Sequence, residues 1–141
     1  MKAILVLAGA VANLGSPSRR PIVECLRYEP DTVRIRGTLA RHMYYGAPGY
    51  GDTPARDEKE VGFYLDLSTP VCMAPGADDV DVAKAGIRRI QLVLRDQADF
   101  DRLRPFLGKT VALRGTLFGA ITGHHHTPVL LSVVEPAHVE P

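Results

Sequence analysis

Along Val33–Leu39 apolar and polar side chains alternate, and the same alternation returns along Val111–Leu117. The two heptads, VRIRGTL and VALRGTL, are identical at five of seven positions, with Ile35 against Leu113 a sixth, similar pair. A period of two sends every second side chain to one face, so both segments read as half-buried strands. Val33, Ile35 and Leu39 then face a core, while Arg34, Arg36 and Thr38 face outward. Gly37 and Gly115 hold the same place in each heptad, and glycine inside a strand marks a bulge or sharp bend of the kind that lets one strand serve both sides of a small barrel. Two such segments are too few for a solenoid, so they read as equivalent corner strands.

Three more segments complete the pattern. Gly62–Val71 alternates as far as Pro70, Ile87–Leu94 is rich in branched aliphatic residues, and Pro128–Val134 comes last. Between the third and fourth strands, Asp96–Leu107 predicts a short helix. Acidic residues open it, Phe100, Leu103, Phe106 and Leu107 recur at helical spacing, and Gly108 follows as a stop. Pro105 weakens its last turn. The order strand, strand, strand, helix, strand, strand predicts an all-β fold with one short helix, a five-stranded OB-fold-like Greek-key barrel. Two long connections follow the first and fourth strands, at Met43–Val61 and Ala120–Thr127.

The ends add a compartment. Lys2, the apolar run Ala3–Ala12 and the small-residue pattern Ala10-Val11-Ala12 are ordered as in a secretory signal, with Pro17 to Arg20 behind them. The alternative is a buried N-terminal strand or helix of the domain. The run is too short to span a bilayer, which needs about 20 apolar residues. Residues 1–20 are therefore expected to be a signal peptide and linker, 21–135 the domain, and 136–141 a tail; the protein is expected to be periplasmic or secreted. The two cysteines, Cys25 and Cys72, are an even pair for an oxidising compartment, so a structural disulfide is expected, with two buried free thiols the alternative.

Charge and composition narrow the function classes. The chain has 141 residues, enough for one domain, with 17 Lys and Arg against 16 Asp and Glu. Nucleic-acid binders carry a basic excess that this balance lacks, so an envelope or extracellular protein, or a small ligand, is the expected partner. The sequence holds no Walker loop, GxSxG elbow, HExxH helix or zinc-finger spacing. No Ser-His-Asp arrangement has spacing support, and the acidic run Ala74–Gly86 lacks the EF-hand pattern.

Several segments together resemble a known bacterial family. They are Cys25-Leu26-x-Tyr28-Glu29-Pro30, Gly46-x-Pro48-x-Tyr50, Pro70-x-Cys72, Ile90-Gln91-Leu92, Gly108-Lys109-x-Val111 and Gly115-Thr116-Leu117-Phe118. The most distinctive is Thr122-Gly123-His124-His125-His126-Thr127-Pro128-Val129-Leu130-Leu131. By these the chain resembles the family labelled Domain of Unknown Function 4431 over about residues 25–134. Family members often carry an Asn-Tyr-like sequence where Gly49-Tyr50-Gly51 stands here. The resemblance implies export and agrees with a disulfide; it implies no activity.

The candidate site follows from the expected topology, because the loops after strands one and four of an OB-fold flank one binding face. The first loop carries His42, Tyr44, Tyr45, Tyr50, Asp52, Asp57 and Glu58; the second carries Thr122, Gly123 and His124, His125 and His126. Tyr44, Tyr45, Tyr50, Asp52, Thr122 and the three consecutive histidines are the expected ligand or partner contacts, since exposed aromatic, imidazole and carboxylate groups build such surfaces. The leading expectation is a non-catalytic binding module without a cofactor. Its rival is a zinc-dependent hydrolase or metal-binding protein. In extended backbone His124 and His126 point to one side, and His42 or Asp52 would supply a third ligand. The plainer reading has the histidines capping their own turn. A third reading is an oligonucleotide-binding barrel that stays in the cytoplasm. Arg34, Arg36 and Arg114 are expected to form a solvated row paired with Asp66 or another acid, and Arg88 and Arg89 to straddle their strand. A glycosidase pair of Asp52 with Asp57 or Glu58 has only composition behind it.

Overall fold

The computed structural model describes residues 23–134, together with positions 15, 139 and 140. The signal-like segment falls outside them apart from position 15, as does most of the tail. Among the described residues the elements are β1 (Thr32–Tyr45), β2 (Lys59–Met73), β3 (Lys84–Val93), α1 (Gln97–Leu103), β4 (Thr110–Gly119) and β5 (Val129–Val133). The strands close into a barrel in the order β1-β2-β3-β5-β4, with β1 returning to β4. Among the paired strands of the described residues only β3 and β5 run parallel. The expected mainly-β architecture with one short helix between the third and fourth strands is what the chain adopts.

The two heptads lie side by side. β1 and β4 pair antiparallel with Ile35 opposite Leu113, so the repeat is related to itself by a local two-fold. The repeated glycines sit where backbones pass closely. A Cβ on Gly115 would meet the carbonyl of Ser132 on β5, and one on Gly37 would come within 3.0 Å of the Asp66 carbonyl on β2. Inward-facing side chains of every strand meet in one core, including Ile35, Leu39, Phe63, Leu65, Ile90, Leu92, Leu113, Leu117 and Leu131.

The helix closes one end of that core. Asp96 caps it by accepting from the Asp99 backbone N–H at 3.1 Å, and Leu103 is fully buried. Phe100 packs edge-on against Phe63 at 5.2 Å. The α-helix ends at Leu103, and Arg104–Phe106, which holds Pro105, continues as one 3-10 turn. Gly108 then reverses the chain with φ of 81°.

Cys25 and Cys72 form a disulfide, with Cα atoms 4.7 Å apart. It ties the N-terminal segment to the end of β2, where Leu26 N–H donates to the Cys72 carbonyl at 2.8 Å. A closed disulfide suits an oxidising environment. Among the described residues no helix is long and apolar enough to cross a membrane.

One expectation about the strands changes. β1 does not stop near Leu39 but runs on to Tyr45, so His42, Tyr44 and Tyr45 belong to a strand, and the loop shrinks to residues 46–58. Thr38 to Tyr45 find a full antiparallel partner in Lys59 to Asp66. The strand there leaves the core, both of its faces carry polar or aromatic residues, and the alternation that marks a half-buried strand fades.

Candidate ligand-binding face

The outward faces of β1, β2 and β3 form one surface at the end of the barrel where the loop after β4 folds over. Pairing places Tyr44 opposite Glu60, His42 opposite Gly62, Tyr64 opposite Gln91, and Asp66 opposite Arg89. These positions alternate with Phe63, Leu65, Ile90 and Leu92, which point into the core.

Glu60 is the centre of this surface. One carboxylate oxygen lies 2.6 Å from His124 Nδ1 and the other 2.6 Å from His126 Nε2. An ionised carboxylate only accepts, so each of those ring nitrogens carries the hydrogen. Burial raises the Glu60 carboxyl, but the hydrogen bonds from His126 and His124, with their charge, outweigh it and hold the group below the usual carboxylate range. Gly46 leaves the space the carboxylate occupies, since a Cβ there would collide with it.

The His126 ring stacks on Tyr44, centroids 4.7 Å apart and planes within 4° of parallel. Arg89 donates from Nη1 to the Tyr44 hydroxyl at 3.1 Å and from Nε to Asp66 at 2.6 Å. The other Asp66 oxygen lies 3.0 Å from His42 Nε2. Burial raises the Asp66 carboxyl, yet its bonds to Arg89 and His42 bring it below the ordinary value. Tyr64 lies beneath Tyr44 and His42, ring centroids 5.4 and 5.3 Å away, and burial pushes its hydroxyl up to about 12. A continuous chain of contacts thus joins His42, Asp66, Arg89, Tyr44, His126, Glu60 and His124.

Gln91 fastens the histidine loop from β3. Its side-chain oxygen accepts from the His126 backbone N–H at 2.7 Å, and its side-chain nitrogen donates to the His124 carbonyl at 3.1 Å. The Thr127 hydroxyl accepts from the Gln91 backbone N–H at 3.0 Å. His125 points elsewhere: its Nδ1 accepts from the Ile121 N–H at 2.9 Å and the ring lies edge-on to Phe118. It caps the turn through N–H groups. Burial, then the neighbouring His124 and His126, holds its imidazole below the usual value. The Thr122 hydroxyl accepts weakly from the His124 N–H at 3.3 Å.

The loop after β1 is built on Asp57. Its carboxylate accepts from the backbone N–H groups of Gly49 and Gly51, both at 2.8 Å, and from the Thr53 hydroxyl at 2.6 Å. Burial raises the Asp57 carboxyl, and the Thr53 hydroxyl with these N–H groups more than reverses that. Tyr50, between the two glycines so held, takes the left-handed region at φ 50° and remains 54% exposed. Its ring lies against Gly123, where a Cβ would come within 2.7 Å of it, so the two loops touch.

The residues singled out from sequence therefore divide. Tyr44, His124 and His126 share the network around Glu60, and Tyr50 meets the same loop at Gly123. Tyr45 lies on the opposite side of its strand from Tyr44, and Asp52 is exposed. His42 stands on Asp66 rather than beside the His124 and His126 nitrogens, so the expected three-histidine ligand set is not assembled. Among the described residues no group of three or more His, Cys, Asp and Glu side chains is arranged to hold a metal ion. Asp57 is committed to its loop, which removes it from a carboxylate pair.

The arginine row pairs as expected with an acid, and that acid is Glu140 rather than Asp66: Arg34 and Arg114 reach it at 2.7 and 3.6 Å. Arg88 and Arg89, expected to straddle β3, both border one cleft with Tyr44, Lys84 and His126. Ile87 and Ile90, three apart, are both buried in the core, and the β2–β3 register shifts here, between the pairs Asp66–Arg89 and Val71–Ile87. Glu60, Tyr64, Arg89 and Gln91 were absent from the expected site. Their signal is the outward period of β2 and β3, which becomes informative only once the strand register is known.

The family model for the domain of unknown function DUF4431 matches residues 89–137. The chain matches DUF4431 over this C-terminal part, which runs from Arg89 through Gln91 and α1 to the histidine loop and β5. No curated protein and no solved structure matches the chain.

Proposed function

We propose that this barrel is an OB-fold-like, non-catalytic binding module that acts outside the cytoplasm. It would recognise a protein or small ligand through the β1–β2–β3 face and the loops after β1 and β4. The observation behind this reading is the Glu60 clamp on His124 and His126, which sets the histidine loop beside β3 and leaves a cleft of about 510 Å³ between them. That volume suits a small ligand or an inserted side chain. The imidazoles nearest the cleft are bonded to Glu60, which favours recognition over hydrolysis. Export is supported by the disulfide together with the signal-like N-terminal sequence.

The test is capture from a cell-envelope extract by the immobilised chain under non-reducing conditions. A specific bound species, lost with Tyr44→Ala and retained with Arg34→Ala at the opposite end of β1, where that strand pairs with β4, is the expected result. Capture that is indifferent to Tyr44 and Tyr50 alike would sink the reading. For location, mass spectrometry of chain recovered from the periplasmic fraction should find it cleaved near Ala12; an intact chain confined to the cytoplasm would refute export.

A further inference from the structure

The cleft between β3 and the histidine loop has an unusual lining. Lys84, Arg88 and Arg89 border it with Tyr44, His126, Gly86 and backbone of β3, and no carboxylate residue is part of that wall. A regular strand would send Arg88 and Arg89 to opposite faces; here, where the β2–β3 register shifts and Ile87 and Ile90 are both buried, both arginines border the cleft. Placing like charges side by side is unfavourable unless something between them is negative. Arg89 answers part of that with Asp66, through Nε, and uses Nη1 on Tyr44, leaving Nη2 unengaged among the described residues. Lys84 donates to the Tyr28 hydroxyl and sits near the Val80 carbonyl, both neutral. Arg88 is exposed and makes no hydrogen bond or ion pair among the described residues.

We infer that this cleft takes a small molecule through an oxyanion, a carboxylate or a phosphate, held by Arg88 and the open edge of Arg89 with Lys84 behind. Guanidinium groups present paired N–H donors that match the two oxygens of such a group. The Glu60 clamp keeps His126 and Tyr44 as the opposite wall, and Asp66 and Tyr44 preset the Arg89 fork, so the site requires little ordering on binding. The inference rests on the proposed binding function and gives the ligand its chemistry.

The test is a pair of NMR titrations of the full chain at low ionic strength, one with sodium pyrophosphate and one with sodium citrate. Saturable shifts of the Gly86, Arg88, Arg89 and Thr127 amides are expected with at least one probe, and the responding probe separates phosphate from carboxylate. Sodium chloride at equal ionic strength should leave those amides in place. Arg88→Ala should weaken binding about tenfold, the loss of one charged hydrogen bond, with Arg88→Lys weakening it less. Because Arg88 makes no hydrogen bond or ion pair among the described residues, its variants should melt as the wild type does; Arg88→Gln is the second variant should Ala perturb the strand. Unsaturable shifts with both probes, or equal affinity in the Arg88 variants, would overturn the inference. If the probes fail while Tyr44-dependent capture persists, the oxyanion chemistry falls and the binding function stands.

Discussion

The carboxylate of Glu60 and the imidazole of His126 meet at 2.6 Å across 66 residues of sequence, and the same carboxylate holds His124 through its other oxygen. One side chain on β2 thereby fixes the position of the loop between β4 and β5. The two histidines are not equal in this. His126 is 9% exposed and stacked on Tyr44, whereas His124 is 68% exposed.

Glu60→Gln keeps the shape but removes the charged acceptor. It should lower unfolding free energy by about 1–3 kcal/mol, as expected for charge-assisted bonds. Amide hydrogen exchange should quicken at residues 122–127 while the core strands keep their protection. His126→Ala should have a larger effect than His124→Ala, following their burial. Equal effects from the two, measured by urea melts, would show that the clamp is not centred on His126.

Gly46→Ala tests the same clamp from behind. A Cβ there would occupy the place of the Glu60 carboxylate, which cannot move aside without releasing both imidazoles. The variant should reproduce the loop exchange of Glu60→Gln, with little further loss when the two changes are combined. Additive losses in the double variant would contradict this.

Glu60, Asp66 and Asp57 are all held below the ordinary carboxylate range. A carboxyl with a folded-state pKa below its unfolded value adds stability that is full above the unfolded value, about 4, and is lost as pH falls through the folded one. The melting temperature should therefore fall as the solution is acidified below that value. Glu60→Gln with Asp66→Asn should be less stable near neutrality and lose less on acidification, Asp57 accounting for part of the remainder. An acid limb of unchanged steepness would show that these two carboxylates are not responsible.

Cys25 and Cys72 are 47 residues apart. In the chain-entropy description, closing a loop of that length stabilises the fold by about 4 kcal/mol. Cys25→Ser with Cys72→Ser should approach that loss in urea melts, and reductant should have no further effect on the double variant. A wild-type melting temperature indifferent to reductant would exclude a stabilising role.

The paired glycines of the repeat should differ in tolerance. Gly115→Ala drives a methyl into the Ser132 carbonyl, a backbone atom with no room to yield, whereas at Gly37 the nearest atom is 3.0 Å away. Gly115→Ala should be the more damaging, by more than about 2 kcal/mol, which chemical denaturation can resolve.

Much of the barrel is legible along the chain because strand periodicity is local. Val33–Leu39, Val111–Leu117 and the hydrophobic run of β5 each declare themselves, and Asp96 with Gly108 brackets the helix. The histidine loop and the exposed Tyr50 are legible as well, since Tyr, His and Gly concentrate in irregular segments. The length of β1 is not, because Arg41 to Tyr45 extend beyond the core and lose the contrast between faces. The pairing of Cys25 with Cys72 follows from there being no other cysteine.

What the tertiary structure decided is which distant side chains share a surface. Glu60 is an unremarked acid in a charged stretch until β1–β2 pairing sets it opposite Tyr44 and barrel closure brings the histidine loop to it. Arg88 and Arg89 border one cleft where the β2–β3 register shifts, and such a shift is set by the pairing of two strands rather than by the residues of one. Period and turn chemistry act over a few neighbouring residues, so the sequence alone determined the elements and their order. Register and closure join residues more than sixty positions apart, and the site arises from them.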